Sequence, residues 1–324
     1  MLSRQRGLRR SAAVVLGLTI AISGCSSDAE PNSVDTGSSS TGAGSVAELA
    51  GTISGDGSST VFPIMEAVAE DFGGANPDVK IQVGESGTGG GFEKFCAGET
   101  DFSNASRAIK DEEKAACEAK GVAFTEFKIA SDGLAVVSNK DLKVDCLTVD
   151  ELKKTFLAGS TVKKFSDIKA DLPSTEVKLF TPGADSGTYD FFLEEILGKE
   201  GKFRADGVTT SEDDNVLVTG IDGSKGGLGF FGFSYYTENK DKLNLVGVDG
   251  GKGCVEPSTE TVLDGSYDPL SRPLFIYVKN DSLARPEVKA MMRFVLTDGR
   301  ELIDEVGYVQ LPDADYQTAL AKLT

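Results

Sequence analysis

Apolar positions in this chain come in short runs. Several of these runs are followed by a cluster of Gly, Ser and Thr, and then by apolar residues three or four apart. The run at 51–54 predicts a strand that leads into Gly55-Asp56-Gly57-Ser58-Ser59-Thr60. Beyond it Val61, Ile64, Val68 and Phe72 fall at helical spacing, with Pro63 tolerable only in a first turn. Residues 79–83 alternate as a strand does and enter a glycine-rich loop at 84–91, with a short helix through Phe95. Residues 101–107 read as a loop ahead of a helix over 111–120. Residues 177–180 read as a strand, 181–188 as a loop and 189–197 as a helix. This repetition predicts an α/β fold with mostly parallel strands and helices on both faces.

The loops share a chemistry. A helix N-terminus presents unpaired N–H groups and partial positive charge, and glycine lets a ligand approach the backbone. Several such N-termini facing one crevice beyond the carboxyl ends of the strands would bind a small oxyanion. Ser and Thr are also ordinary N-caps, but the hydroxyls here exceed one cap per helix. Arg107, beside Ser106, is the one arginine between Cys25 and Phe203; its planar fork suits two oxygens of a tetraoxyanion.

The two ends set the compartment. Arg4, Arg6, Arg9 and Arg10 precede an apolar run of 11 residues, 12–22, against the roughly 20 that a spanning helix needs. The run ends Ile22-Ser23-Gly24-Cys25, which is similar to a bacterial lipobox. Residues 1–24 are therefore expected to be a lipoprotein signal peptide, and Cys25 the lipidated first residue of an exported protein. That protein would sit on the outer face of the cell membrane or in the periplasm, held to the membrane by its lipid. Residues 25–50, rich in Ser, Gly and Thr, are expected to be a flexible tether. Cys96, Cys117, Cys146 and Cys254 remain, an even number for an oxidising compartment, with three connectivities open. Pairing Cys96 with Cys117 and Cys146 with Cys254 keeps each bridge within one half of the fold and is favoured.

Composition removes most enzymes. The 324 residues include no histidine and no tryptophan. A Ser-His-Asp or Cys-His nucleophile and imidazole-ligated zinc or haem are thus excluded. No CxxC spacing, Walker A motif or Gly-x-Ser-x-Gly elbow occurs, so neither metal nor cofactor is expected. The formal charge of −18 argues against a nucleic-acid surface.

Five stretches carry a resemblance: GDGSSTVFPIMEAVAEDF from Gly55, GESGTGGGFEKFCAGETDFSNASRAIKDEE from Gly84, PGADSGTYDFF from Pro182, SEDDNVLVTG from Ser211 and SRPLFIYV from Ser271. In their order and spacing, from about Gly51 to the C-terminus, they resemble the phosphate-binding components of Pst-type ABC importers, in the branch called SphX-like. The resemblance implies a type II periplasmic-binding fold of two α/β lobes joined by two crossing strands, near 129–137 and 270–277. Lobe one would be 51–132 with 271–324, and lobe two 133–270. It implies a monomer, not an enzyme, that captures inorganic phosphate between the lobes and delivers it to an ABC permease.

Carried over by position, the phosphate ligands would be Ser59, Thr60, Ser86 or Thr88, Ser186, Gly187 and Thr188, joined by Ser106 and Arg107 from the reading of the loops. The family's proton-accepting aspartate is replaced here by Arg107, and its arginine ahead of Ser-Gly-Thr by Pro182. Asp185 is the candidate acceptor, with Asp56 and Asp214 in reserve. That acceptor would decide specificity, since sulfate has no proton to give and a buried carboxylate would repel it. Alternative readings are another oxyanion (sulfate, molybdate or arsenate), a phosphohydrolase on the same loops, or a surface lipoprotein without a small ligand.

Overall fold

The computed structural model describes residues 49–184, 186–198 and 200–324. The expectations for the signal peptide, Cys25, nearly all of the tether and Asp185 lie outside these residues. The described residues form one compact unit.

The chain begins β1 (Gly51–Gly57), α1 (Phe62–Ala75), β2 (Val79–Val83), α2 (Gly87–Cys96), β3 (Phe102–Ala105) and α3 (Asp111–Ala119). The 16-residue β4 (Phe124–Asn139) follows. Next come β5 (Cys146–Thr148), α4 (Val149–Phe156), α5 (Phe165–Ile168), β6 (Lys178–Pro182), α6 (Gly187–Phe192), β7 (Val208–Ser211), α7 (Asp214–Asp222), β8 (Gly227–Gly232), α8 (Phe233–Asn239), β9 (Leu243–Asp249), β10 (Cys254–Val255) and α9 (Thr259–Leu263). The chain ends with β11 (Ser271–Lys279), α10 (Asn280–Leu283), α11 (Pro286–Leu296), α12 (Glu301–Glu305), β12 (Val309–Gln310) and α13 (Asp313–Ala321).

The strands run β2-β1-β3-β11-β4-β8-β6-β7 through one continuous sheet. The mostly parallel sheet expected from the sequence is found at its two ends. β1 is parallel to β2 and β3, and β6 is parallel to β7 and β8. The middle is antiparallel: β11 runs against β3 and β4, and β4 against β8 and β9. Parallel strands at each end aim the loops after β1, β2 and β3 to one edge, and likewise those after β6 and β7.

Two large hydrophobic cores flank this middle. One gathers Ile53, Phe102, Phe127, Ile129 and Ala130 with Leu274, Ile276 and Val278. The other gathers Leu134 to Val137 with Phe192, Phe230 and Leu270. β4 and the chain at Leu270–Leu274 therefore pass from one core to the other, and they do so side by side, Ser271 opposite Gly133 and Arg272 opposite Asp132. These are the two crossing strands of a two-lobe periplasmic-binding-protein-like α/β fold.

Several boundaries differ from the sequence reading. β1 continues to Gly57, where φ is +141° and an added Cβ would lie 2.1 Å from the Asn104 carbonyl oxygen; only glycine lets the strand end here. α2 starts at Gly87, inside the run read as a loop, because Gly91 lets the helix close on β1. A Cβ on Gly91 would come within 2.4 Å of Gly57 Cα. The stretch read as a loop at 101–107 contains β3, whose four residues are all buried between β1 and β11. The helix after residue 186 begins at Gly187, two residues early, and its last turn (Leu193–Leu197) is π-helical. Disulfides join Cys96 to Cys117 and Cys146 to Cys254, tying α2 to α3 and β5 to β10.

Candidate functional site

The loop after β1 is shaped by its neighbours. Ser58 donates its N–H to the Asn104 carbonyl at 3.0 Å, and Phe62 donates to Ser58 O at 3.0 Å to open α1. Val61, Ile64, Val68 and Phe72 of this region are buried. Thr60 is buried and Ser59 half-buried where the chain turns into the helix. On the other side of the sheet, Ser186 caps α6, its hydroxyl accepting from Thr188 N–H at 3.2 Å. α6 is held in place by Phe192, which stacks on Phe230 of β8 with ring centroids 4.0 Å apart.

These two loops meet. A Cβ added to Gly187 would stand 3.1 Å from Thr60 Cα, so the backbones are nearly in contact. Ser59 lies close enough to the Asp190 carboxyl across the gap to favour its ionised form. Burial, with Glu194 nearby, raises the pKa of Asp190, and Arg272 and Ser59 oppose that rise.

The other candidates fall into four groups. Thr88 and Ser106 pair, with the hydroxyls 3.2 Å apart and Ser106 N–H donating to Thr88 Oγ1 at 3.2 Å. Ser86 turns to Asp56, donating its N–H at 2.9 Å, while Lys94 binds the other carboxylate oxygen. Burial alone would raise Asp56, but the bonds from Lys94 and Ser86 outweigh it and hold the carboxyl below its usual range. Asp56 is thus already engaged. Arg107 is bidentate to Glu113, at 2.9 and 2.7 Å, which raises its pKa, and its guanidinium lies 5.7 Å from the Phe92 ring centre. Asp214, the other reserve, opens α7 beyond β7. Burial first, then Asp213 and Glu212, push its pKa up to about 6.

The guanidinium closest to the meeting of Thr60 and Gly187 is one that the sequence reading did not single out. Arg272 donates through Nη2 to Thr60 Oγ1 at 2.6 Å and to the Gly187 carbonyl at 3.4 Å, and through Nε to Asp132 Oδ2 at 3.1 Å. It also lies over the Phe191 ring at 3.7 Å. Its side chain is 11% exposed and that of Asp132 1%. Burial raises the pKa of Asp132, opposed by Arg272. The available signals were Arg272 inside the SRPLFIYV stretch and Asp132 as a lone acid in the apolar run 129–137.

Hydroxyls, helix N-termini and a buried arginine brought together in this way can hold a compact anion through neutral donors and one charge. Comparison with known proteins gives the same direction. The model of the PBP superfamily domain matches residues 38–299. Protein SphX of Synechococcus elongatus is 48% identical over 270 residues, 82% of this chain and 80% of that protein. The phosphate-binding protein PstS of Staphylococcus saprophyticus is 45% identical over 277 residues, covering 84% of each. The crystal structure of "a possible phosphate binding protein" from Planctomyces limnophilus matches at a TM-score of 0.82 and 46% identity, over 85% of this chain and 98% of that one. On these likenesses and on its two-core architecture, the chain belongs to the PBP superfamily and, within it, to the family of Protein SphX and the PstS proteins.

Proposed function

We propose that this chain is the extracytoplasmic receptor of an ABC importer, taking inorganic phosphate between two lobes, 51–132 with 271–324 and 133–270, and handing it to the permease. The observation that carries the reading is the meeting of Thr60 with Gly187 across the two halves of the sheet. The names of the PstS relatives support phosphate as the anion. The lipobox at Cys25 supports a lipid anchor on the outer face of the cell membrane or in the periplasm, with residues 25–50 as the tether. The receptor acts as a monomer.

The mechanism follows from the donors. Phosphate enters an open cleft and meets hydroxyls and N–H groups at Ser59 and Thr60, at Thr88 and Ser106, and at the Ser186–Thr188 turn, with Ser86 beside Asp56. Each donor is neutral, so the anion is desolvated without a large opposing charge. Arg107, paired with Glu113, supplies a charge at the edge of the cleft. Closure about the crossing strands brings both sets onto one ligand, and the closed form is the one the permease reads. No bond of the phosphate is made or broken. Asp185, next to Ser186 in sequence, accepts the proton that phosphate carries at neutral pH and that sulfate lacks.

Calorimetric titration of the protein with phosphate, and separately with sulfate, at neutral pH tests this; the chain has no tryptophan for a fluorescence assay. Phosphate binding without sulfate binding is expected. Equal binding of both would remove the proton acceptor, and binding of neither would remove the reading.

A further inference from the structure

Two arginines stand near the proposed site, and their surroundings differ. Arg107 has spent both terminal nitrogens on one carboxylate, Glu113, and is about one-third exposed. Arg272 is nearly enclosed, and its Nη2 rests on two neutral acceptors, the Thr60 hydroxyl and the Gly187 carbonyl. Its carboxylate, Asp132, touches it through Nε, and Asp132 Oδ1 is buried with no hydrogen-bond partner among the described residues. A buried guanidinium gains most by exchanging neutral acceptors for charged ones.

We propose that Arg272 is the cation that grips the bound oxyanion and that Asp132 is its positioning residue. This rests on the reading of the cleft as an oxyanion site. An anion arriving beside Thr60 and Gly187 meets Nη2 directly and displaces neither ion-pair partner. Asp132 keeps the arginine extended and electrically compensated while the cleft is empty, a state in which an unpaired buried charge would be costly. Phe191 packs against the flat of the guanidinium and leaves its edge for hydrogen bonding.

The position in the fold adds a second role. Arg272 and Asp132 are direct partners in the β11–β4 pairing, at the point where both strands cross between the cores. The charge therefore sits on the hinge itself, while Thr60 and Gly187 belong to opposite sides. An anion gripped by Arg272 is held at the axis, and each side closes onto it. Ligand binding and closure become one event.

The test is calorimetry with inorganic phosphate on the full chain, wild type against Arg107→Gln, Arg272→Gln, Arg272→Lys, Asp132→Asn and the double variant Asp132→Asn/Arg272→Gln, with thermal unfolding of each. Losing a buried charged hydrogen bond to a ligand weakens binding on the order of 100-fold or more. That loss is expected for Arg272→Gln and for the double variant, and a smaller loss for Arg107→Gln, whose charge is already shared with Glu113. Arg272→Lys keeps charge but not the fork and should recover only part of the affinity. Asp132→Asn should lower affinity with Arg272 still present; a purely structural Asp132 would lower only the melting temperature. The double variant leaves no unpaired buried charge, so it reports on binding even where Arg272→Gln does not fold. Wild-type affinity in the double variant, with binding lost in Arg107→Gln, would overturn the assignment and leave the phosphate reading intact. If the wild type ignores phosphate but binds sulfate, molybdate or arsenate, the phosphate reading fails and the same variants decide Arg272 with that anion. Binding of no oxyanion by the wild type overturns both.

Discussion

A methyl group at position 187 is the smallest wedge that can be driven between the two loops. Gly187 lies outside the positive-φ region, so alanine there meets no backbone strain and suits the first turn of α6. Its Cβ would lie 3.1 Å from Thr60 Cα, 3.3 Å from Thr60 Oγ1 and 3.4 Å from Thr60 N. Carbon atoms settle at about 3.5–4.0 Å, so the loops must part by roughly half an ångström. Overpacking of this kind costs about 1–3 kcal/mol. The closed arrangement bears the whole cost, because opening relieves the contact. The affinity of Gly187→Ala for phosphate should therefore fall about 5- to 150-fold. Calorimetry reads this directly, and thermal unfolding gives the control. Without phosphate the melting temperature should match wild type, while the rise on adding saturating phosphate shrinks. An unchanged affinity would refute the reasoning, since it would mean that Thr60 and Gly187 do not stay together when phosphate is bound.

Three further outcomes follow from the structure. Asp214 has its folded pKa raised from 3.8 to about 6, so the folded state favours the protonated form and stability falls as pH rises through that interval. Asp214→Asn should raise the melting temperature by a few degrees at pH 7.5, for a ceiling of about 3 kcal/mol, and leave it unchanged near pH 4; an equal shift at both pH values would contradict the assignment. Cys254 is exposed whereas Cys96 and Cys117 are buried, so mild reductant should open Cys146–Cys254 first, as mass spectrometry of trapped thiols would read. Removing either bridge by paired Cys→Ser substitution should cost about 2–4 kcal/mol of stability.

Much of the architecture was legible because it rests on local pattern. Strict alternation over 79–83 and helical spacing from Val61 to Phe72 need no distant partner to be read. β3 escaped because Phe102-Ser103-Asn104-Ala105 is half polar; it is buried on all sides by β1 and β11, and sequence carries no sign of that enclosure. The glycine run of α2 escaped for the opposite reason. Glycine is a poor helix former, and only the approach of Gly91 to Gly57 explains why the helix accepts it. At the site, the hydroxyls announced themselves by repetition. The Arg272–Asp132 pair did not, because its members are 140 positions apart and Thr60 is 212 from Arg272. Nothing short of the strand register puts them together.

The path of β4 also bears on the order in which the molecule can be made. The core around Phe230 draws on residues 134–270, with Val309 as its one later member, so almost all of it exists once Leu270 has been synthesised. The core around Ile53 needs Leu274, Ile276, Val278, Met291 and Tyr316, and so waits for the end of the chain. A chain emerging N-terminus first would therefore assemble its interior segment before its beginning. Residues 51–130 would stay unsealed until β11 slides between β3 and β4. A stop codon shortly after residue 270 should leave one half folded and the other open, even though four-fifths of the sequence is present.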